Sequence, residues 1–373
     1  MEINLIVDFN PEKLIEDKEE LKRFLSGINA LEEYSSNELK RIEKMEKDFE
    51  QLDQKYISKL SFNYKDRISR LKSCLAHNEK ILNNLIKKFK PPPSFYKDIN
   101  INFEEMKNSL FYEGKFIYDV FSYIIRDWSI EGKKEREENY NIIINEILKY
   151  FPLSSDNLIN YKFLLPGSGL NRLGYELCKY GYDIEANDLL FLNGIFSDYI
   201  FNYVKKDELS LYTYIDSFCN CWSEESVFKK YTFPDINIYL KNNINDKNKN
   251  IGKLKLFIGD FVKLYNNKKE CFDCIITSHF IDTAQNIIQY VEIINDLLKK
   301  GGIWINLGPL LYRWSKYFEC ISIDLPYDKL KEVICNYGFK YIKEEFKNCT
   351  YANIDDYMQI ELFKCIFFTV KKI

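Results

Sequence analysis

The first ninety residues carry a hydrophobic pattern that is typical of helices. From Ser36 on, apolar side chains recur every three or four residues, at Leu39, Ile42, Met45, Phe49, Leu52 and Tyr56. A second series has the same spacing, at Ile68, Leu71, Leu75, Leu82, Leu85 and Phe89. Such spacing places apolar residues on one face of a helix. Pro91-Pro92-Pro93 ends the series, because proline lacks an N–H donor and restricts its predecessor. We therefore predict an all-α accessory domain over residues 1–93, with Ser35 or Ser36 as a helix N-cap.

From Tyr161 onward, short apolar segments alternate with helical patterns. Strands separated by helices at this spacing form βαβ units, and hence a parallel sheet. Near the C-terminus, YGFKYIKEEF and LFKCIFFTV are two strands with little between them, which predicts an antiparallel hairpin. This layout is that of a class I methyltransferase, an α/β fold with a Rossmann-like sheet. We assign it to residues 94–373, with a polar insertion near 206–252 whose Asn/Lys-rich tip we expect to be disordered.

Composition and charge exclude several classes of protein. The chain has 373 residues, of which 46% are hydrophobic, and a formal net charge of −3. This charge does not suit a broadly basic surface for nucleic acid. No apolar run reaches the roughly 18 residues of a membrane helix, and the N-terminal residues lack the order of a signal peptide. We expect a soluble protein of the cytoplasm, or also of the nucleus, with neither nucleic acid nor membrane as a partner.

The ten cysteines are scattered rather than clustered, which is typical of reduced thiols inside the cell. Cys219-Asn-Cys221 and Cys271-Phe-Asp-Cys274 have spacings found in metal sites, but each pair stands alone. Only His77 and His279 could add imidazole ligands, whereas a structural zinc site usually needs four N or S ligands. We predict no metal site.

A glycine turn and an acidic residue follow the first two predicted strands. Pro166-Gly167-Ser168-Gly169 opens a helix, and Arg172 occupies the third glycine position of the dinucleotide fingerprint. Two glycines suit an adenosyl ligand without a pyrophosphate, although a plain turn is the alternative. Asp188 ends the second strand, where a carboxylate can accept both ribose hydroxyls. Its alternative role is the N-cap of the next helix.

Two further strand ends carry candidate chemistry. Asp260 can accept the exocyclic amine of adenine while Phe261 covers the ring, unless Gly-Asp-Phe is only a turn. After the fourth strand, at the sheet edge where ligands bind, Asp282 can orient a nucleophile. A helix capping box with Gln285 is the alternative for Asp282. His279 either binds substrate or fills the rim, and His77 is interpreted as structural.

Several segments together resemble the carnosine N-methyltransferase family, also called N2227-like proteins. The resemblance covers roughly residues 100–373 and is carried by RDWSIEGKKER, LLPGSGLNRLGYELCKYGY, IEAND, GDF, FIDTAQNI, GGIWINLGPLLY and YGF. Such proteins use S-adenosylmethionine to methylate an imidazole nitrogen in histidine-containing peptides such as carnosine. The resemblance therefore implies S-adenosylmethionine as the cofactor and a small histidine-containing peptide or protein as the substrate.

The resemblance also implies residue roles. Those on the cofactor side are Tyr123, Arg126, Gly167, Gly169, Asp188, Asp260, Phe261 and Ser278. Asp282 would be the catalytic residue that holds the imidazole. The other substrate-side residues would be His279, Arg313, Tyr351 and Phe363. Arg313 stands where the family has a histidine, and its guanidinium can bind a substrate carboxylate bidentately.

Two alternatives stay open at this stage, and a third is disfavoured. The acceptor can be another amine or a protein side chain, because several substrate-side positions depart from the family pattern. The chain can also be a non-catalytic, cofactor-binding interaction protein. A dehydrogenase is disfavoured by Arg172. The N-terminal helices are the candidate surface for a homodimer.

Overall fold

The computed structural model describes residues 5–8, 14, 16–96, 102–110, 112–152, 161–238, 251–353 and 357–373. The insertion tip that we predicted to be disordered falls largely within residues 239–250, which lie outside the described residues.

Helices and strands alternate along most of the chain. The α-helices are α1 (Lys18–Glu50), α2 (Gln54–Ile57), α3 (Tyr64–Phe89), α4 (Phe103–Asn108), α5 (Ile117–Trp128), α6 (Lys133–Tyr150), α7 (Arg172–Cys178), α8 (Phe191–Tyr203), α9 (Glu224–Val227), α10 (Phe261–Tyr265), α11 (Ile287–Leu297) and α12 (Tyr327–Asn336). The strands are β1 (Leu5–Asp8), β2 (Lys162–Pro166), β3 (Asp183–Asp188), β4 (Leu209–Leu211), β5 (Tyr231–Phe233), β6 (Leu254–Ile258), β7 (Phe272–Ser278), β8 (Leu298–Gly308), β9 (Phe339–Thr350) and β10 (Leu362–Lys372). Short 3-10 helices cover Pro93–Tyr96, Glu113–Phe116, Ile281–Thr283 and Arg313–Lys316.

The main sheet has the strand order β1-β6-β3-β2-β7-β8-β10-β9. The strands from β1 to β8 in this order are parallel, whereas β10 is antiparallel to both β8 and β9. The chain order reverses between β2 and β7, which creates a crevice at the carboxyl ends of these strands. The predicted α/β class, with its C-terminal hairpin and its N-terminal helices, is confirmed.

The N-terminal region departs from the predicted pattern in two ways. β1 joins the main sheet as a parallel partner of β6, a strand that we did not predict. The predicted N-cap at Ser35 or Ser36 is wrong, because α1 continues through both serines and Ser36 donates to the Glu33 carbonyl within the helix. Asp17 is the actual cap and accepts from the Glu19 and Glu20 amides.

The helix α1 stays continuous because its apolar face begins well before the serines. Phe24, Ile28 and Leu31 are buried along this face, in the same hydrophobic core as Phe163 of the sheet. Farther along, the predicted apolar positions Leu39, Leu52 and Tyr56 are exposed. Whether these residues form a homodimer surface stays a prediction, as does the domain boundary at residue 93.

The insertion near 206–252 contains β4 and β5, which pair as a separate antiparallel ladder. Within the described ranges, no helix is both long and apolar enough to cross a membrane. The same residues contain no group of three or more His, Cys, Asp or Glu placed to hold a metal ion. All ten cysteines are free thiols.

Candidate active site

A cavity of about 1090 Å³ lies at the carboxyl edge of the parallel strands. All eight predicted cofactor-side residues line it: Tyr123, Arg126, Gly167, Gly169, Asp188, Asp260, Phe261 and Ser278. Three of the predicted substrate-side residues also line it: His279, Arg313 and Tyr351. The strand ends meet here because parallel strands direct their carboxyl ends to one edge of a sheet. Side chains of α1, α5 and α6 line other parts of the cavity.

The turn after β2 requires glycine for two reasons. Gly167 and Gly169 have φ values of 65° and 55°, in the left-handed region that glycine tolerates best. A Cβ atom on Gly167 would lie 2.5 Å from Cδ2 of Phe280. The backbone therefore packs against Phe280 more closely than any larger residue would allow. Such a close approach is more than a plain turn needs.

Asp188 is buried at the end of β3 and holds the start of the following loop. Its Oδ2 accepts a hydrogen bond from the Gly169 amide at 2.8 Å. Its Oδ1 accepts from the Leu190 amide and from Nδ2 of Asn193, both at 3.0 Å. Burial raises the pKa of this carboxyl. Asp188 thus joins the glycine turn to the segment that leads into α8.

The N-cap role that we considered for Asp188 belongs to Glu113 instead. The Glu113 carboxylate is fully buried and accepts from the Phe191 and Leu192 amides, at 2.6 and 2.7 Å. Burial raises the pKa of Glu113 to about 8, and the charge of Asp188 contributes in the same direction. The role of Glu113 could not be predicted from the sequence, since nothing in its local pattern indicates a partner 78 residues away.

An aromatic cluster lies beside Asp260. Phe261 is buried, with ring centroids 5.3 Å from Phe280 and 4.9 Å from Tyr290. Asp260 Oδ1 accepts from the Lys263 amide at 3.0 Å and caps α10. The turn interpretation of Gly-Asp-Phe therefore describes the local structure, and it does not exclude ligand binding because both Asp260 and Phe261 line the cavity.

Arg126 is held by a bidentate ion pair with its neighbour Asp127. Its Nε and Nη2 donate to the two carboxylate oxygens at 2.7 and 2.9 Å. The hydroxyl of Tyr140 also donates to Asp127, at 2.8 Å. The guanidinium lies 4.7 Å from the ring centre of Tyr123 and 5.4 Å from that of Tyr351. These contacts fix the side chain at the cavity with part of its donors still available.

Arg172, which breaks the dinucleotide fingerprint, has a structural partner in the insertion. Its Nη1 donates to Asp235 at 2.6 Å and to the Asp127 carbonyl at 2.9 Å. Asp235 also pairs with Arg136 at 2.5 Å. The arginine therefore ties α7 to the insertion and to α5, a role that the sequence pattern did not reveal.

His279 faces the cavity from a strained backbone position. Its φ of 51° is left-handed, and Gly308 lies against its backbone so closely that a Cβ there would be 3.0 Å from the His279 amide nitrogen. The imidazole lies 5.1 Å from the Tyr351 ring. Burial, and then the charge of Arg126, lower the pKa of His279 to about 4. The ring is therefore neutral at physiological pH. Its Nε2 lies 3.7 Å from Sγ of Cys365, and a contact between His279 and the substrate stays a prediction.

Asp282 and Phe363 are not among the residues that line the cavity. Asp282 is only 6% exposed, and its Oδ2 accepts from the Leu311 amide at 2.8 Å. Burial raises its pKa. The capping-box hypothesis for Asp282 is wrong, because Asn286 caps α11. Phe363 packs edge-on against Tyr351, with 6.4 Å between ring centroids.

His77 lies among the N-terminal helices, as expected of a structural residue. Its Nε2 is 2.8 Å from the Ser210 carbonyl oxygen, and it is not a lining residue of the cavity.

Three polar atoms show that the cavity suits a ligand rich in hydrogen-bond donors. Ser168 Oγ, Asn193 Oδ1 and Asn139 Oδ1 are buried without a hydrogen-bond partner in the described part of the chain, and all three residues line the cavity. Buried polar atoms are rarely left unpaired in folded proteins. With the glycine turn, the carboxylate and the aromatic cluster, they fit an adenosyl ligand.

The sheet, closed by an antiparallel strand, and the cavity at its carboxyl edge are those of a class I methyltransferase. A family model described as carnosine N-methyltransferase matches residues 104–373. The chain belongs to the carnosine N-methyltransferase family, and it is a methyltransferase. S-adenosylmethionine, the cofactor predicted from the sequence, is the methyl donor of this class.

Two relatives by sequence agree with this assignment. The carnosine N-methyltransferase of Rattus norvegicus is 33% identical over 368 residues, which cover 96% of this chain and 88% of the relative. That of Schizosaccharomyces pombe is 29% identical over 335 residues, covering 81% of this chain and 84% of the relative. Among solved structures, magnesium protoporphyrin IX methyltransferase from Synechocystis with bound SAM covers 74% of this chain and 100% of its own, at 10% identity and a TM-score of 0.40.

Proposed function

We propose that the chain transfers a methyl group from S-adenosylmethionine to an imidazole nitrogen of a histidine-containing peptide, as in the conversion of carnosine to anserine. Membership of the family over residues 104–373 is the observation that carries this proposal. We also propose that the reaction takes place in the cytoplasm or the nucleus, which imaging of a fluorescent fusion would test.

The cofactor-side residues bind different parts of the cofactor along the cavity. When bound, the cofactor supplies an electrophilic methyl group on a sulfonium sulfur. Gly167 and Gly169 let the backbone approach it, and Asp188 accepts from the ribose. Asp260 and Phe261 receive the adenine, as the resemblance implies.

We assign binding of the methionine end of the cofactor to Arg126, with Tyr123 and Ser278 beside it. Asp127 occupies two of the five N–H donors of the guanidinium, so three remain for the cofactor carboxylate.

The acceptor needs positioning more than activation. A neutral imidazole is already a nucleophile, because its reference pKa is about 6.5. Aligning its lone pair with the methyl carbon is worth roughly 7–11 kcal/mol for a well-oriented pair. A group that binds the other ring N–H would select the tautomer and stabilise the imidazolium that forms.

Two residues are candidates for that group. The resemblance assigns it to Asp282, whose carboxylate could offset the positive charge. His279 is the alternative, because its neutral ring lines the cavity whereas Asp282 does not. If Asp282 contacts the imidazole, Asp282→Asn lowers kcat by about 100-fold or more at normal stability, in the range of general acid–base contributions. A loss of only two- or threefold, with a large loss for His279→Ala, transfers the role to His279.

Arg313 makes the substrate end of the cavity favour a negatively charged group. Arg313 and Lys316 both line the cavity, and the positive charge of Arg313 acts on Asp119, a lining residue of α5. A peptide with a free carboxylate therefore suits this end. We expect Arg313→Ala to raise the KM for carnosine several-fold but to leave the KM for its C-terminal amide nearly unchanged. Equal effects on both peptides contradict this role.

The decisive experiment uses methyl-labelled S-adenosylmethionine. Purified protein would be incubated with carnosine, Gly-His or a cell extract, with Asp282→Ala as the control, and label would be located by mass spectrometry. Label on the imidazole of a small peptide supports the proposal. Label confined to another component of the extract identifies a different acceptor. Cofactor binding without any transfer favours the non-catalytic alternative.

A further inference from the structure

We infer that Asn193 is a further cofactor-binding residue, whose Oδ1 accepts a hydrogen bond from one of the two ribose hydroxyls. The inference rests on the proposed function, because it requires an adenosyl ligand in the cavity. It goes beyond the roles implied by the resemblance, which place the ribose on Asp188 alone.

Asp188 has too few free acceptor positions to bind both ribose hydroxyls. An ionised carboxylate offers about four lone-pair positions. Oδ1 already accepts from the Leu190 amide and from Asn193, both at 3.0 Å, and Oδ2 accepts from the Gly169 amide at 2.8 Å. The Leu189 amide also interacts with this carboxylate, so at most one position remains. A ribose presents two hydroxyl donors, so one of them needs another acceptor.

Asn193 supplies that acceptor at the required place. It is the third residue of α8, is 3% exposed and lines the cavity beside Asp188. Its Nδ2 must be the atom that faces Asp188, because an ionised carboxylate can only accept. The amide orientation is thereby fixed, and Oδ1 is left as an acceptor. Within the described residues, this atom is buried without a partner.

Asp188 and Asn193 thus form one unit that recognises a diol. The carboxylate accepts from one hydroxyl, and the carboxamide that it orients accepts from the other. The unit therefore requires a ribose with both the 2′ and the 3′ hydroxyl. A ligand that lacks either hydroxyl leaves one buried acceptor unpaired, which is the strongest way for a site to reject a close analogue.

The test measures the affinity of purified protein for S-adenosylhomocysteine and for its 2′-deoxy and 3′-deoxy analogues by calorimetry. Asn193→Leu removes the acceptor at nearly constant shape. We expect it to weaken binding of S-adenosylhomocysteine about tenfold. For one of the two deoxy analogues, the wild type should discriminate by about tenfold and the variant by less than about threefold.

Asn202→Leu is the matched control, since Asn202 lies in the same helix and its Nδ2 bonds to Asp198 away from the cavity lining. It should bind all three ligands like the wild type. If Asn193→Leu does not melt cooperatively, Asn193→Ser removes the same oxygen without adding apolar bulk.

Two results overturn the inference. One is wild-type affinity and discrimination in the Asn193 variants. The other is an equal loss for all three ligands, which would mean that Asn193 acts only by supporting Asp188. Failure of the adenosyl-cofactor assignment looks different, because wild-type protein would then not bind S-adenosylhomocysteine at all. A different acceptor, or an absence of methyl transfer, is detected by the labelling experiment and leaves this binding test unchanged.

Discussion

At the scale of single residues, Gly167 and Gly338 share a backbone conformation but not an environment. Their φ values are 65° and 86°, both left-handed. A Cβ on Gly167 would lie 2.5 Å from the Phe280 side chain, whereas a Cβ on Gly338 would meet nothing within 4 Å. Phe280 is itself stacked on Tyr290, with 5.0 Å between ring centroids, and cannot easily move.

We therefore expect Gly167→Ala to be the more damaging of two otherwise equivalent substitutions. Gly338→Ala should cost about 1–2 kcal/mol of folding free energy for its left-handed conformation and leave ligand affinity unchanged. Gly167→Ala should cost more and weaken S-adenosylhomocysteine binding at least tenfold. Urea denaturation and calorimetry measure the two effects. Equal losses at the two sites would show that the close approach to Phe280 is unimportant.

The lowered pKa of His279 leads to a prediction about how kcat/KM depends on pH. Because its pKa is lowered to about 4, its ring does not titrate between pH 5 and 9. Of the two imidazole rings, only that of the substrate titrates in this range, with a reference pKa of about 6.5. Protonation occupies its lone pair, so kcat/KM should fall as the pH drops below this value. His279→Asn should lower the rate without moving the midpoint. A midpoint that moves by a full pH unit in this variant would contradict a neutral His279.

At the scale of elements, Asp235 holds the insertion against α6 and α7. Its two oxygens pair with Arg136 and Arg172, and all three side chains are buried. We expect Asp235→Asn to cost about 3–5 kcal/mol, because two buried guanidinium groups then lose their counter-charge. Asp207→Asn is the control, since Asp207 is an exposed residue of the same insertion beside Lys206. It should cost less than about 1 kcal/mol. Similar denaturation midpoints for both variants would contradict this account.

Glu113, which binds the first amides of α8, should make the stability of the protein depend on pH. Burial raises the pKa of Glu113 from an ordinary 4.5 to about 8, with Asp188 adding to the shift and Arg23 opposing it. The folded protein thus binds the proton more tightly than the unfolded chain, so this contribution to stability is lost as the pH rises from about 4.5 to 8. Glu113→Gln removes the titration. The melting temperature of the wild type relative to this variant should therefore fall between pH 5 and 8. A constant difference would contradict the shift.

Elements with strong local periodicity could be predicted from the sequence, and those that depend on distant partners could not. The apolar alternation and helix-like spacing identified β2, β3, β6, β7 and the C-terminal hairpin. β1 was missed because a four-residue strand has no periodicity of its own and exists through its pairing with β6. The serine pair in α1 illustrates the reverse case, in which buried packing overrides a local capping preference.

The site shows the same division between local and long-range information. Strand ends could be predicted to converge, and eleven of the thirteen predicted site residues line the cavity. Glu113 carried no local signal, because its partners are the distant amides of α8. Asn193 did carry one, as a polar residue inside the apolar run LLFLNGIF. The carboxylate of Asp282 turns toward the Leu311 amide, a contact that no sequence spacing reveals.

At the scale of the whole molecule, the N-terminal helices contact both the parallel sheet layer and the insertion. Phe24 of α1 packs edge-on against Phe191 of α8, with 5.5 Å between ring centroids. On α3, Arg70 forms a bidentate ion pair with Glu225 at 2.8 Å. Asn78 exchanges two hydrogen bonds with the backbone of Tyr212, both at 2.9 Å. The helices therefore complete the core of the sheet and brace the insertion.

These contacts predict that residues 94–373 do not form a stable unit alone. Without residues 1–93, the fragment exposes the apolar surface around Phe191. It also leaves the backbone of Tyr212 without its two hydrogen bonds to Asn78 and removes β1 from β6. We expect it to melt without cooperativity and to lose binding of S-adenosylhomocysteine. Adding residues 1–93 as a separate chain should restore both, because α3 ends at Phe89 and a break after residue 93 interrupts only the short 3-10 helix Pro93–Tyr96 and its Phe95-to-Pro92 backbone hydrogen bond. A fragment that melts cooperatively and binds the ligand alone would show instead that the helices are an independent accessory domain.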